Sequence, residues 1–542
     1  MARSGHRHRS RLVARRVARA CDPRAACRRC AGADMKADRG HVVFRVDASA
    51  RSGTGHVMRC LALADRLRLG GVSSHFVCRH MPDRLHEKLI ASGHGFEPLF
   101  HSRQDEPGDL AHSAWLGASQ RVDADQTLAI VSRSRCDWLV VDHYALDARW
   151  ESALRPFVGR LMVIDDLADR THDCDLLLDQ SASIDPEARY SGKVASRCRL
   201  LLGYRYALLR EEFRELRSHV RSRDGSVRRV LVFLGGVDAA GYTMVAIGAL
   251  RKLRLEDLQV DVVVGSQNSH REAIEEACRS SAFGFHAETE HMARLMASAD
   301  LAVGAGGTAT WERCCMGLPT LALCVADNQE QLVKDSVIRG LIYAPDLKQG
   351  GEDAMALHLR ALMDNRSLLR AMSERGMQEV DGLGTRRVMR EMGFAGLTVR
   401  KATSSDSEKV FSWRNHPDVR VVSRNPEPIK PSVHANWFAG VLADENKLLL
   451  LGEDKGESVG VIRFDVEDFR AEVSIYLDPR LKGRGYGPDL LSTAEAWLAT
   501  NRPEVSILTA EVLGDNSRSR ALFETCGFRR QATSYSKEIG RI

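Results

Sequence analysis

A histidine that directly follows a run of small residues is a candidate base, and Ser52-Gly53-Thr54-Gly55-His56 supplies one. Residues 41–46 before it read as a strand. The residues after it read as a helix with Val57, Cys60, Leu61, Ala64 and Leu67 along one face. Small residues in such a turn let a substrate approach the backbone closely. The positive end of the helix dipole disfavours imidazolium, so His56 is expected to serve as a neutral base near pH 7. The same pattern also suits an ordinary helix-start turn with a surface histidine. A second turn adds weight: Gly304-Ala305-Gly306-Gly307-Thr308 lies between a strand and a helix over 310–316. There, backbone N–H groups and a hydroxyl can hold a diphosphate, and Glu312, about one turn further on, can accept hydrogen bonds from ribose hydroxyls. The plainer reading is a tight turn with a solvated Glu312. Gly235-Gly236-Val237-Asp238 is a further loop placed to line the same cleft.

A third glycine run lies near the C-terminus. Residues 471–477 alternate as a strand, and Lys482-Gly483-Arg484-Gly485-Tyr486-Gly487 precedes a helix over 490–500. Successive glycines before a helix leave N–H groups for phosphate oxygens, although such loops are common. Residues 505–513 read as another strand. Asn516-Ser517-Arg518-Ser519 and a helix over 520–526 follow, ending in Gly527-Phe528.

These sites need elements to position them. At about 150 residues per domain, 542 residues suggest three or four domains. From residue 41 short β-rich runs alternate with amphipathic helical runs, the pattern of parallel α/β architecture. Strands near 74–78, 138–142 and 161–165 follow the first, and several end at Asp, near where open parallel sheets bind substrates. A second set begins near 227. The expected organisation is an Arg-rich extension over 1–38, a first α/β half over 39–190, a connection over 191–226, a second half over 227–392 and a separate domain over 396–542.

Composition narrows the function. The chain is 44% hydrophobic and 28% charged, as in globular proteins rather than disordered or membrane ones, and no apolar run reaches membrane-spanning length. The net charge is +6, yet residues 1–34 hold ten Arg against two acids, so the remainder is slightly acidic. That leaves no broad basic surface for nucleic acid. The leader lacks a signal-peptide core, and its Arg content superficially matches a transit peptide; it is read as an unstructured extension, or a misassigned start with Met35 opening the folded protein. Thirteen scattered cysteines argue against a secreted disulfide framework and fit reduced thiols in the cytoplasm. Cys27 and Cys30 form a lone CxxC without a partner pair at zinc spacing.

The stretch Phe44-Arg45-Val46-Asp47-Ala48-Ser49 with Gly53-Thr54-Gly55-His56-Val57-Met58-Arg59, then Gly235-Gly236-Val237-Asp238, Gly306-Gly307-Thr308 and Trp311-Glu312, resembles the UDP-sugar hydrolases of pseudaminic acid biosynthesis over about 40–390. That family is similar to the GT-B glycosyltransferases but transfers the sugar to water without a metal ion. The resemblance implies that His56 activates the attacking water and that Asp47 and Arg59 orient it or touch substrate. It further implies that Gly53 and Gly55 lie in the substrate-binding loop, that Gly306, Gly307, Thr308 and Glu312 hold the nucleotide, and that Asn328 and Gln329 meet the sugar or diphosphate. The expected reaction is attack of water on C1 of UDP-2,4-diacetamido-2,4,6-trideoxy-β-L-altropyranose, with UDP leaving against backbone donors.

The glycine loop, following strand, Asn516-x-x-Ser519 and terminal Gly-Phe together resemble the GNAT acyltransferases over about 396–540. This implies acetyl-CoA as co-substrate, its diphosphate on Lys482, Gly483, Arg484, Gly485, Tyr486 and Gly487, its pantetheine between two splayed strands, and Asn516 and Ser519 beside it. Lys482 stands where Arg or Gln is usual. Phe523 stands where many members carry a general-acid Tyr and cannot donate a proton; Tyr476, Tyr486 or water replaces it, or the thiolate leaves unprotonated. The attacking amine must lose a proton, and Glu472 and Glu511 are the candidate bases or else outward-facing strand acids. Residues 411–415, including Trp413 and Asn415, with His434, Trp437 and Phe438, resemble the acceptor side of the sugar N-acetyltransferase of the same pathway, or form a packed aromatic cluster. The resulting expectation is a GT-B-like pair of Rossmann-type domains followed by a GNAT α/β domain. It would 4-N-acetylate UDP-4-amino-4,6-dideoxy-N-acetyl-β-L-altrosamine and then hydrolyse the product. Two other readings stay open: a GT-B glycosyltransferase fused to an acetyltransferase for another amine, and a non-catalytic nucleotide-sugar binding protein.

Overall fold

The computed structural model describes residues 40–538 apart from 50, 102–107, 218, 266, 348–349, 395–396, 455, 484, 514–515 and 532–533. The Arg-rich leader, Cys27 and Cys30, and Arg484 lie outside the described residues.

The first sheet is wholly parallel. Its strands are β1 (His41–Val46), β2 (Ser73–Cys78), β3 (Gly95–Pro98), β4 (Trp138–Asp142), β5 (Arg160–Ile164), β6 (Leu176–Asp179) and β7 (Arg199–Leu202), in the order β3-β2-β1-β4-β5-β6-β7. β1 is buried along nearly its whole length because helices cover both faces, which is why it reads as a continuous apolar run. Its one charge, Arg45, is fully buried and donates to both Asp123 oxygens at 2.9 and 2.7 Å. A buried charge is tolerated only when paired in this way.

The second sheet repeats the plan with β8 (Arg229–Phe233), β9 (Gln259–Val264), β10 (Gly284–Ala287), β11 (Leu301–Ala305) and β12 (Thr320–Leu323), in the order β10-β9-β8-β11-β12. In each sheet the strand order reverses beside the first strand, between β1 and β4 and between β8 and β11. Ligands of such sheets bind beyond the carboxyl ends of the strands at that reversal. The two halves are GT-B-like Rossmann-type domains facing one cleft.

Two boundaries differ from the sequence reading. β7 extends the first sheet to residue 202, inside the stretch read as a connection, because its side chains complete the apolar layer on β6. The helix Gly384–Glu391 returns to the first half: Val388, Met389 and Met392 join its core, and the Trp138 indole donates to the Met392 carbonyl at 2.9 Å.

The third sheet comprises β13 (Leu397–Lys401), β14 (Lys447–Asp454), β15 (Glu457–Glu467), β16 (Arg470–Leu477), β17 (Ile507–Glu511), β18 (Arg529–Gln531) and β19 (Ser534–Glu538), in the order β13-β14-β15-β16-β17-β19-β18. It is antiparallel except between β16 and β17. The helix Tyr486–Asn501 packs Leu490, Leu491, Ala494 and Leu498 onto it.

Candidate functional site

The helix Gly55–Leu69 begins beyond the carboxyl end of β1, so its first turn faces the cleft. Residues three apart share a helix face, and His56 and Arg59 both reach the last residue of β4, Asp142. His56 Nδ1 lies 2.6 Å from Asp142 Oδ1, while Arg59 donates to both Asp142 oxygens at 2.7 Å and also to Asp166. A carboxylate can only accept, so the ring donates from Nδ1 and Nε2 is left as the acceptor for the cleft. Burial pushes the Asp142 carboxyl up, but Arg59 and His56 outweigh it and hold it far below the usual carboxylate range. The Tyr144 ring stands edge-on to His56 at 4.7 Å, and its hydroxyl donates to Asp166 at 3.2 Å.

Asp47 takes no part in this group. It is 2% exposed, accepts the Arg79 and His80 N–H groups at 2.7 and 3.1 Å, and pairs with Arg45 and His143. It therefore shapes the loops after β1 and β2, and the orienting contact expected of Asp47 is made by Asp142. Asp142, Tyr144 and Asp166 were not singled out from sequence as site residues; the available signal was that the strand over 138–142 ends at Asp.

The opposite wall comes from the second half. The Gly306–Gly307–Thr308 turn follows β11, and glycines occur where the loops nearly touch. A Cβ on Gly55 would lie 3.1 Å from Thr308 Oγ1, and one on Gly236 would lie 3.2 Å from Thr54 Oγ1. Gly235 has φ +94°, a conformation that favours glycine. The cleft between the walls has a volume of about 2020 Å³, room for a nucleotide-sugar, and Gly53, His56, Arg59, Glu312, Asn328 and Gln329 all line it. Arg84 of the first half and Glu288 of the second form an ion pair across its rim. Arg210 lies 3.3 Å from Glu312, and Gln329 accepts the Val325 N–H at 3.2 Å. Asp238 borders the cleft, but its carboxylate is committed to capping the next helix: it accepts from Tyr242 N at 3.0 Å, Thr243 N at 2.8 Å and Thr243 Oγ1 at 2.5 Å. It holds the loop in shape rather than offering oxygens to a ligand. Among the described residues, no group of three or more His, Cys, Asp or Glu could hold a metal ion, and no helix is long and apolar enough to cross a membrane.

The second site lies where β16 and β17 part. Their pairing stops at Glu472 opposite Thr509, opening a gap between the carboxyl-side ends of the two strands. Gly483 and Gly485 both have φ +79°, and Gly485 opens the helix Tyr486–Asn501. Lys482 pairs with Asp418 at 2.9 Å, Tyr486 donates to Asp454 at 2.8 Å, and Gly487 is buried against Leu522. Asn516 Oδ1 accepts the Ser519 N–H at 3.1 Å and so caps the helix Ser517–Thr525.

Glu472 and Glu511 are exposed and both are paired with Arg424. Phe523 is buried against Phe528 at 5.0 Å. Burial pushes the Tyr476 hydroxyl up, which keeps it protonated, whereas the Tyr486 hydroxyl is engaged by Asp454. Trp413 is buried, and the Asn415 amide clamps the backbone of Ile429 at 2.8 and 2.9 Å. Both side chains are engaged within the domain itself, not offered to the site expected of them. His434 packs among Phe411, Trp437 and Phe438 and lies 2.9 Å from the Ser407 carbonyl, so this cluster is a packed one.

Residues 396–529 match the family model described as an acetyltransferase (GNAT) domain. The chain is 21% identical over 507 residues to an uncharacterized protein of Methanocaldococcus jannaschii, covering 90% of this chain and 96% of that one. It is 22% identical over 290 residues to a UDP-2,4-diacetamido-2,4,6-trideoxy-beta-L-altropyranose hydrolase of Campylobacter jejuni, covering 53% of this chain and 93% of that one. It is also 28% identical over 122 residues to the acetyltransferase PseH of Campylobacter jejuni, covering 22% of this chain and 75% of that one.

Proposed function

We propose that the chain, whose residues 396–529 match the acetyltransferase (GNAT) domain model, is a bifunctional sugar-nucleotide enzyme that acetylates an amine and then hydrolyses the product. The acetyltransferase domain would transfer acetyl from acetyl-CoA to the 4-amine of UDP-4-amino-4,6-dideoxy-N-acetyl-β-L-altrosamine. The paired α/β halves would then release UDP from UDP-2,4-diacetamido-2,4,6-trideoxy-β-L-altropyranose. One chemical link supports the pairing: the hydrolase relative is named for a sugar with two acetamido groups, the kind of product an N-acetyltransferase makes.

The observation that carries the hydrolytic half is His56 held by Asp142 at 2.6 Å on the cleft wall facing the Gly306–Thr308 turn. In the proposed step Nε2 takes a proton from water. The water oxygen bonds to C1 as the C1–O bond to the diphosphate breaks, and UDP keeps that electron pair. The forming imidazolium is stabilised by the buried Asp142 carboxylate, which Arg59 keeps ionised. Gly306, Gly307 and Thr308 would offer donors to the departing diphosphate, and Glu312 would meet the ribose. In the acetyltransferase domain the gap between β16 and β17 would take the pantetheine arm. Glu472 or Glu511 would accept the amine proton once substrate draws Arg424 away, and the Tyr476 hydroxyl would protonate the departing thiolate.

Mass spectrometry of the full chain incubated with the UDP-4-amino sugar, with and without acetyl-CoA, tests this. Acetyl-CoA-dependent appearance of CoA, UDP and free diacetamido sugar is expected. Sugar found on another acceptor would instead establish a glycosyltransferase, and tight binding without turnover a binding protein. Full hydrolysis by His56→Ala would remove the assigned base.

A further inference from the structure

Gly485, which opens the helix Tyr486–Asn501, abuts the first module, where Arg386 and Arg390 meet that helix with Glu211 beside Arg386. A Cβ on Gly485 would lie 2.5 Å from Leu383 Cδ2 and 3.5 Å from Arg386 Nη1. Arg386 is 6% exposed, and its Nε and Nη1 have no hydrogen-bond partner among the described residues. Its nearest acids are offset, with Nη1 3.6 Å from Asp489 and Nη2 3.5 Å from Glu211, and its guanidinium lies 5.2 Å over the Tyr486 ring. Arg66 adds a second charge nearby: its Nε has no hydrogen-bond partner among the described residues, and it acts electrostatically on Tyr486, Asp489 and Arg386. Arg390 donates to Ser492 at 3.2 Å on the same helix as Asp489. Asp489 and Glu211 are the two acids facing Arg386, and neither is hydrogen-bonded to it; burial pushes the Asp489 carboxyl up, and Glu211 is engaged by Arg214.

A buried guanidinium with unmet donors, beside a second arginine and a glycine turn that opens a long helix, is suited to an anion with several oxygens. We propose that Arg386 and Arg66 of the first module complete the diphosphate site of the acetyltransferase domain, so that the CoA diphosphate is held between the two modules. This rests on the acetyl-CoA reading above. It also places one helix at both sites. Gly55–Leu69 carries His56 in its first turn and Arg66 in its last, about 15 Å apart along the axis.

The test is titration of the full-length chain with CoA, UDP and pantetheine at fixed ionic strength. Arg386→Gln is expected to weaken CoA about tenfold or more and Arg66→Gln severalfold, with pantetheine unchanged in both because it lacks the diphosphate. UDP binding is expected to be unchanged because UDP goes to the cleft. Arg66 is only partly buried, so its variant remains informative if Arg386→Gln does not fold. CoA affinities equal to the parent's, or equal losses for CoA and pantetheine, overturn the proposal. A loss of UDP with CoA unchanged assigns the arginines to the nucleotide-sugar. Failure of the unaltered chain to bind CoA removes the acetyl-CoA reading itself, and this proposal with it.

Discussion

Asp142→Asn tests the hydrolytic site by exchanging a single heavy atom. The Asp142 carboxylate receives His56 Nδ1 at 2.6 Å and the Arg59 guanidinium twice at 2.7 Å. An amide of the same shape offers only one oxygen. Its NH₂ must then face either Arg59, donor against donor, or His56, where it turns the ring to the tautomer with Nε2 protonated and useless as a base. In serine hydrolases the equivalent Asp-to-Asn exchange lowers kcat about 10⁴-fold. Arg59 keeps its second partner, Asp166, so the geometry should survive partly and a loss of about 10³–10⁴ is expected, roughly 4–5 kcal/mol of activation free energy. Breaking a buried pair also costs stability, about 3–5 kcal/mol where one partner is left uncompensated. The assay is UDP release from the diacetamido sugar nucleotide by chromatography. Acetyl-CoA-dependent CoA release by the same protein reports that the chain is still folded. UDP release within about fivefold of the parent, with CoA release intact, would refute the role given to Asp142.

Two further outcomes follow from the charges. His172 is buried between Glu151 at 2.7 Å and Asp165 at 3.5 Å; burial pushes its pKa down, but the two carboxylates outweigh that and raise it to about 9. A raised folded-state pKa adds stability that is complete below about pH 6.5 and is lost as pH rises through 9. The melting temperature should therefore fall between pH 7 and 10, with up to about 3 kcal/mol at stake, and a slope unchanged in His172→Gln would contradict the assignment. Glu472→Gln and Glu511→Gln should between them lower acetyl transfer by about tenfold or more in at least one variant; unchanged CoA release in both would place the base elsewhere.

The local pattern was readable where chemistry and periodicity coincide within a few residues. The strand–glycine turn–helix around His56, the Gly306–Thr308 turn and the glycine positions 483 and 485 sit where their sequence context suggests, although the helix after the last begins at Tyr486 instead of 490. What escaped depends on distant packing. Asp142 comes from a strand 86 residues beyond His56, and nothing local tells which of several strand-end acids meets the ring. Asp47 looked better placed, being adjacent in sequence, yet β1 turns its carboxylate toward the Arg79 and His80 backbone. Asp238, in a loop, and Asn415, the last residue of a helix, both spend their side chains on backbone groups of the chain that follows them. The return of Gly384–Glu391 to the first sheet rests on Val388 and Met389 finding a core laid down more than 300 residues earlier.

Hydrolysis of the complete reaction mixture in H₂¹⁸O, followed by mass spectrometry of the products, tests the central claim most directly. Attack at C1 predicts one ¹⁸O in the free diacetamido sugar, none in UDP, and one CoA released for each labelled sugar. Label in UDP, or UDP release that proceeds equally without acetyl-CoA from the 4-amino substrate, would contradict it.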